Sequence, residues 1–370
     1  MRRGYLVIGI VIMSFNSLYQ YSWNVFEPLL KTGLNVSLVQ IELAFTLFAI
    51  FSTGFQGIGG YFADRNGPRN IGILSALLSA TGFIGTSFIH SLYLFYILWS
   101  LGSIGEGILY GIATNLAVKW FRGRRGFAVG FVSLGFGLGA AIANIFIARA
   151  VSFRTPMLII GVAEIILLPA LLIMAKYPES GTMTGEKTSK NLRNKRFWIL
   201  YMSFILGSVP LIVVSASFGY LGETLPLFEF TVLVSLFPLL SGVSRPILGY
   251  ISDLIGRIRV VMIIDLFLIL GSVFLILHEY LFAIIFIGFF GGAMISMYFS
   301  LVGDIFGSKF STANNGVFYT GKAISGFLGS TLFASLFIFD HRLSFVFVLV
   351  ASVAAIFFLI ASIPRKKVNV

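Results

Sequence analysis

Arg245 and Lys322 are the two basic residues that fall inside long apolar stretches of the chain. A cation at the depth of a bilayer centre costs roughly 2.5–3.5 kcal/mol on insertion scales, so two of them require a reason. Arg245 stands eight residues before Asp253, which on a helix sets it about 12 Å deeper. Lys322 lies nine residues into its stretch, near the middle of a bilayer-length helix. Snorkelling toward water, or pairing with an acid, would account for Arg245 without any function. For Lys322 that escape is harder. An ionisable residue at such depth is a candidate for handling a charged solute.

Their neighbours carry polar groups at helical spacing. Asn315, Tyr319 and Lys322 follow i, i+4, i+7, as do Asn16, Gln20 and Trp23. Glu106 and Tyr110 share a face in the same way. Polar stripes on apolar helices point into a bundle interior rather than at lipid. Each stripe has a plainer alternative, hydrogen bonding that holds helices together. Glu106 has two readings: it neutralises one cation, or it caps a kink in a glycine-rich helix.

The elements that position these residues follow from composition. Of 370 residues, 58% are hydrophobic and 11% are charged, where a soluble domain carries about a quarter charged. Mean hydropathy is +0.97. Apolar runs bounded by Gly, Pro and charge predict twelve membrane-spanning helices at 5–26, 41–62, 70–90, 92–118, 127–148 and 155–175, then 197–220, 230–251, 260–277, 280–302, 313–337 and 343–363. The first run follows Met1-Arg2-Arg3 and is too long for a signal-peptide core, so it is expected to be a retained helix.

Residues 177–196 interrupt this rhythm. The stretch is polar, with Pro178, Gly181 and Gly185, and ends in Lys190, Arg193, Lys195 and Arg196. Such a composition reads as a linker. It divides the chain into a six-helix half at 1–176 and a second at 197–370. The halves repeat: Gly60, Tyr61, Asp64 and Gly67 recur as Gly249, Tyr250, Asp253 and Gly256. Arg65 and Arg69 stand beside the first copy and Arg257 beside the second. Each Asp falls at a helix end among basic residues, where it can pair or cap, and the glycines allow a sharp reversal. A generic tight turn would explain one copy, but not two in register.

These paired loops resemble the loop signature of the major facilitator superfamily, which implies an all-α membrane fold of two pseudo-symmetric six-helix bundles. A finer resemblance is to the oxalate/formate antiporter family within it. It is carried by Tyr21-Ser22-Trp23-Asn24-Val25-Phe26-Glu27-Pro28-Leu29, Gly105-Glu106-Gly107-Ile108-Leu109-Tyr110 and Lys119-Trp120-Phe121-Arg122-Gly123-Arg124-Arg125-Gly126. It continues through Asp304-Ile305-Phe306-Gly307-Ser308-Lys309 and Asn315-Gly316-Val317-Phe318-Tyr319-Thr320-Gly321-Lys322. Related monocarboxylate carriers share several of these segments. The resemblance implies that Arg245 in the eighth helix and Lys322 in the eleventh hold an anionic substrate. A guanidinium grips a carboxylate bidentately and an ammonium acts as a point charge, so a small dianion could satisfy both. Tyr110, Tyr319, Tyr298 and Trp23 are expected to wall the site. The expected mode is exchange. The alternatives are a proton-coupled monocarboxylate or drug carrier, with Glu106, Asp265 or Glu164 relaying protons, and a non-transporting receptor or sensor. The second is disfavoured by the shortness of every loop beyond the linker.

Other signals lead elsewhere and fail. Gly316-x4-Gly321-Lys322 spells most of a phosphate-binding loop, but Ala323 stands where Ser or Thr is needed and no strand precedes it. Gly126, Gly130, Gly135, Gly137 and Gly139 suit close helix packing better than a dinucleotide loop. His90, His278 and His341 lack zinc spacing, there is no cysteine, and no hydrolase or metalloprotease motif occurs. An enzyme, a metal and a cofactor are therefore not expected. The net charge of +12 is a matter of topology and implies no nucleic acid partner. The expected partners are a small carboxylate and membrane lipid, with the carrier acting as a monomer.

The N-terminus, even-numbered loops and C-terminus, including Arg122, Arg124, Arg259 and Arg365, hold 20 of the 26 Lys and Arg. Lys31, Arg149, Arg154 and Arg342 are the four on the other side. This asymmetry predicts cytoplasmic termini, and the expected location is a plasma membrane. Because the chain has no cysteine, single cysteines at Ser189 and Ser311 are expected to react with an impermeant maleimide only from the cytoplasm, and one at Thr32 only from outside. Reversed labelling would contradict the orientation.

Overall fold

The structure is a computed structural model that describes residues 2–121, 125–178, 188–306 and 311–363. Arg122, Gly123, Arg124, the Gly307-Ser308-Lys309 segment, Arg365 and the middle of the predicted linker lie outside the described residues. Among those described there are helices and no strand. Eleven helices are long and apolar enough to cross a membrane, and Gly4–Gln20 adds a shorter one.

The first half contains α1 (Arg2–Gln20), α2 (Trp23–Leu34), α3 (Leu38–Asn66), α4 (Pro68–Phe88), α5 (Leu92–Trp120), α6 (Arg125–Ile147) and α7 (Arg154–Leu172). A short α8 (Thr188–Asn191) lies in the linker. The second half contains α9 (Lys195–Leu221), α10 (Leu227–Ile255), α11 (Arg257–Ile276), α12 (Tyr280–Phe286), α13 (Gly292–Phe306), α14 (Ser311–Tyr319), α15 (Gly321–Phe327), α16 (Phe333–Phe339) and α17 (His341–Ser362). A π turn at Ile287–Gly291 joins α12 to α13, and another at Leu328–Leu332 joins α15 to α16. The predicted first, tenth and eleventh spans are thus interrupted. The first also runs on to Leu34, eight residues past its expected end at Phe26.

Local chemistry sets these boundaries. Ser37 and Gln40 form a capping box that starts α3. Gly67 (φ 85°) and Gly256 (φ 93°) end α3 and α10, and they are the two positive-φ glycines among the described residues. They are also the repeated glycines of the loop signature, so the reversal demands a residue without a Cβ in both halves. Pro68 opens α4 at a position where its missing N–H costs nothing. Asp64 accepts from Lys119 Nζ at 2.5 Å, and Arg257 bonds Asp304 at 2.6 Å and Asp253 at 3.5 Å. The first pair lies within the first half and the other two within the second, so none crosses between them. Lys119 also sits 4.1 Å over the Tyr177 ring. Burial pushes the Tyr177 phenol up, and the neighbouring Asp64 adds to the shift.

The α6 glycines divide between two partners. Gly135 and Gly139 pack on α1, at Ile10 and Ser14, while Gly130 and Gly137 pack on α10, at Pro246 and Gly242. Contact between the halves runs along α6–α10, along α3 with α15 and its following π turn, and along α2–α9. Hydrogen bonds across it come from the face opposite the chain termini, here called the far face, and from the bundle middle. Asn24 Nδ2 donates to Val214 O (2.8 Å), Asn144 Nδ2 to Val234 O (2.7 Å), and Thr46 Oγ1 shares protons with Ser330 Oγ and Thr331 Oγ1 (2.8 Å each). The far face is closed.

A Cβ at Gly137 would come within 2.7 Å of Gly242 Cα. Gly137→Val should therefore wedge α6 from α10, at a cost of about 1–3 kcal/mol to the closed arrangement. A cysteine replacing the buried Thr46 is expected to react with a maleimide several-fold faster in that background than without it, at one fixed pH. Equal protection in both would contradict this packing.

Candidate functional site

The helix break after Gln20 begins the site. Residues Tyr21 and Ser22 leave the α-helical run, and the freed Tyr21 carbonyl is taken by Asn144 Nδ2 at 3.1 Å. Irregular backbone inside a membrane bundle survives where neighbouring side chains satisfy it in this way. The break ends the i, i+4, i+7 stripe. Asn16 donates to the Glu106 carbonyl (2.9 Å), and Gln20 accepts from Lys322 Nζ (2.8 Å). Trp23 is carried off to donate to Glu42 Oε1 (3.2 Å), among Phe45, Phe95 and Trp99.

Lys322 is 2% exposed and sits in the first turn of α15, after the helix is interrupted at Thr320. Its ammonium also donates to Tyr319 OH at 3.2 Å and lies 5.3 Å from the ring centroids of both Phe48 and Tyr319. Those two hydrogen bonds use two of its three donors. Arg245 is 6% exposed on α10. Its Nε donates to the Gly292 carbonyl at 3.1 Å, and its guanidinium lies 5.1 Å from the Phe136 centroid. Gly292 is the first residue after the π turn at 287–291, the kind of helix defect that recurs at functional sites. Tyr110, Tyr21 and Tyr319 surround the guanidinium within electrostatic reach, and Arg245 and Lys322 feel each other's charge. Among the described residues, neither cation forms a salt bridge.

Aromatic rings join the two positions. Tyr110 stacks on Tyr319 (5.9 Å, 21°) and meets Phe136 edge-on (5.8 Å). Tyr21 meets Phe136 at 5.2 Å and bonds Ser241 Oγ at 2.6 Å. Phe299 closes on Tyr319 at 5.7 Å. Ring faces over a cation recover part of its desolvation cost without neutralising it. The arrangement is a buried, doubly positive, aromatic-lined position at the junction of the halves.

Glu106 is fully buried, its Oε2 accepting from Ser52 Oγ at 2.5 Å while Oε1 has no partner. It lies within electrostatic reach of Lys322 but makes no salt bridge with it. Of the expected wall, Tyr110 and Tyr319 are at the site. Trp23 and Tyr298 are not. Tyr298 bonds Ser203 Oγ at 2.6 Å and packs on Phe204 and Phe318, inside the second bundle. Glu164 and Asp265 are buried within separate bundles with all carboxylate oxygens unpartnered. Tyr21, Gln20, Phe136 and Phe48 contribute without having been singled out as binding residues. Gln20 had a signal in its polar stripe, whereas the facing of Tyr21 depends on the break.

A family model of the Major Facilitator Superfamily matches residues 6–230 and 208–370. The chain is 42% identical over 361 residues to an "Uncharacterized 38 kDa protein in 23S RNA operon" of Thermoproteus tenax, covering 97% of this chain and 95% of that one. It is 32% identical over 354 residues to the "Oxalate:formate antiporter" of Oxalobacter formigenes, covering 90% and 84%. A crystal structure of the nucleoside transporter NupG superposes with a TM-score of 0.75 at 12% identity, covering 99% of each chain. An inward-facing, unoccupied bacterial homologue of the human lysosomal transporter Spinster gives 0.70 at 15% identity, covering 98% and 95%. These two likenesses establish the fold. With the family model spanning nearly every residue and the apolar helices in place, this multi-pass membrane transporter belongs to the Major Facilitator Superfamily.

Proposed function

We propose that the protein is a secondary active carrier that exchanges small carboxylate anions across a plasma membrane, its termini cytoplasmic. The observation that carries this reading is the pair of buried cations, Arg245 and Lys322, with no salt bridge to an acid among the described residues. The name of the relative from Oxalobacter formigenes supports the same substrate class. Arg245 offers its forked Nη groups and Lys322 its remaining donor, so a compact dianion such as oxalate fits the charge. Tyr110 and Tyr319 are the proposed wall; Trp23 and Tyr298 are withdrawn from it. Residues 1–176 and 197–370 act as the moving bodies and 177–196 as their tether. The loops around Gly60, Asp64, Arg65, Gly67 and Arg69, and around Gly249, Asp253, Gly256 and Arg257, set the equilibrium between their arrangements.

Exchange follows from charge. In an empty carrier the two cations face each other in a low-dielectric interior, so closing around them is costly. A bound dianion removes that repulsion, and the loaded carrier crosses more readily than the empty one. Return then waits for another anion. A second reading is favoured by Glu106, whose unpartnered oxygen gives a proton a place to reside and makes proton coupling available.

Efflux of preloaded oxalate from proteoliposomes, with and without external carboxylate, separates the two. External carboxylate is expected to accelerate efflux at least tenfold in the wild type. Lys322→Gln should shrink that ratio, because one neutral position lowers the barrier to empty return. Equal efflux with and without external anion in the wild type would rule out obligatory exchange.

A further inference from the structure

Two acids at the far-face contact between the halves are used by neither the cation pair nor the loop motifs. Glu27 lies on α2 and Glu42 on α3, and both are fully buried. Glu42 Oε1 accepts from Trp23 Nε1, but its Oε2 and both oxygens of Glu27 have no hydrogen-bond partner. Among the described residues, neither acid forms a salt bridge. Tyr220 on α9, 8% exposed, brings a hydroxyl that is also unpartnered within electrostatic reach of both carboxyls.

The place is where the two halves meet. A Cβ at Gly219 of α9 would lie 2.6 Å from Glu27 Oε2 and 2.7 Å from the Asn24 carbonyl, so the Glu27 carboxyl fills the notch that this glycine leaves. Asn24, one turn earlier, fixes α2 to α9: its Nδ2 donates to Val214 O, and its Oδ1 accepts from Gly219 N at 3.2 Å. On the other acid's helix, Ser330 Oγ donates to the Glu42 carbonyl at 3.3 Å and shares a proton with Thr46. Alternating access requires this contact to part, and parting it brings water to both carboxyls.

The surrounding charges are few. Lys31 and Glu223 act on Glu27, and Glu27 acts on Glu42. From α5, Tyr96 donates to the Gln40 carbonyl. Glu106 and Lys322 face α3 deeper in the bundle, Glu106 at Ser52, which is about 15 Å along the helix from Glu42. With the contact closed, Glu27 has no hydrogen-bond donor and only Lys31 as a cation within electrostatic reach, while Glu42 has one donor, Trp23 Nε1. A charge on either is therefore unfavourable, and a charge on both is more so. A proton on each removes the charge and supplies a donor to the unclaimed oxygens.

We infer that Glu27, Glu42 and Tyr220 form a proton-binding site, and that loading it from the far-side solution is what lets the far face close. Opening returns those protons to the same solution. The closed arrangement binds more protons than the open one, so lowering the far-side pH favours closure. The closed-to-open ratio changes by about tenfold per pH unit for one proton and about a hundredfold for two. The inference does not rest on the anion, and its test uses none.

Spin labels on cysteines at the exposed Thr32 and Thr224 report the far-face separation by double electron–electron resonance in lipid. In the otherwise wild-type chain, the short-distance population should rise steeply as pH falls. The double variant Glu27→Gln, Glu42→Gln should hold the short distance at every pH, and the milder Glu27→Gln alone should lower the slope. A distance independent of pH in the wild type would overturn the proposal. So would the wild-type pH response persisting unchanged in either variant.

Discussion

Two cations buried with no salt bridge among the described residues are the constraint on which the rest of this molecule depends. At membrane depth an unpaired cation costs several kcal/mol, and Arg245 and Lys322 stand close enough to repel. The fold softens that cost with what it has: a carbonyl at Gly292, an amide at Gln20, phenols at Tyr21, Tyr110 and Tyr319, and ring faces at Phe48 and Phe136. None of these carries a negative charge; Glu106, within electrostatic reach of Lys322, is an acid near the pair but forms no salt bridge with it. The site is stabilised enough to persist in a folded bundle, and its cations stay free of salt bridges among the described residues, as the proposed anion site requires. The exchange mode proposed above would follow from the same repulsion.

The supporting geometry comes from places where helices are imperfect. The break at Tyr21 and Ser22 leaves Gln20, at the end of α1, on Lys322 and sends Trp23 elsewhere. The π turn at 287–291 precedes the carbonyl that receives Arg245. The π turn at 328–332 contains Ser330 and Thr331, which bond Thr46 across the contact. Each defect frees backbone or polar groups that water cannot satisfy inside a membrane. The freed carbonyls of Tyr21 and Gly292 find partners within their own halves, whereas the Ser330 and Thr331 hydroxyls bond the opposite half. Asn144 links the two roles, donating to the Tyr21 carbonyl at the break and to the Val234 carbonyl across the contact.

Much of this was legible in the chain. Twelve apolar runs and a repeated Gly-Tyr-Asp-Gly pattern specify two bundles, because length, hydropathy and the need for positive φ act locally. That Arg245, Lys322, Tyr319 and Tyr110 would converge inside the bundle was legible for a related reason: a charge or phenol on an apolar helix has few places to point. Trp23 and Tyr298 were misplaced because helical spacing assumes an unbroken register. No Pro or Gly marks the break at Tyr21, and Tyr298 turns toward Ser203 within its own bundle. Glu27 escaped notice because α2 runs on past Phe26, so a residue expected at a helix end is in fact inside the bundle. Nothing in the sequence around Glu42 signals that α9 and α2 will close over it.

The central claim, that the two cations act as one anion receptor, is tested most directly by equilibrium binding of oxalate. Isothermal titration of purified wild type, Arg245→Gln, Lys322→Gln and the double variant closes a thermodynamic cycle. Each single variant should weaken binding by at least about tenfold. Because both positive charges meet one dianion, the double variant should lose less than the sum, with a coupling of about 0.5–3 kcal/mol. Oxalate affinity unchanged by either single substitution would contradict the account.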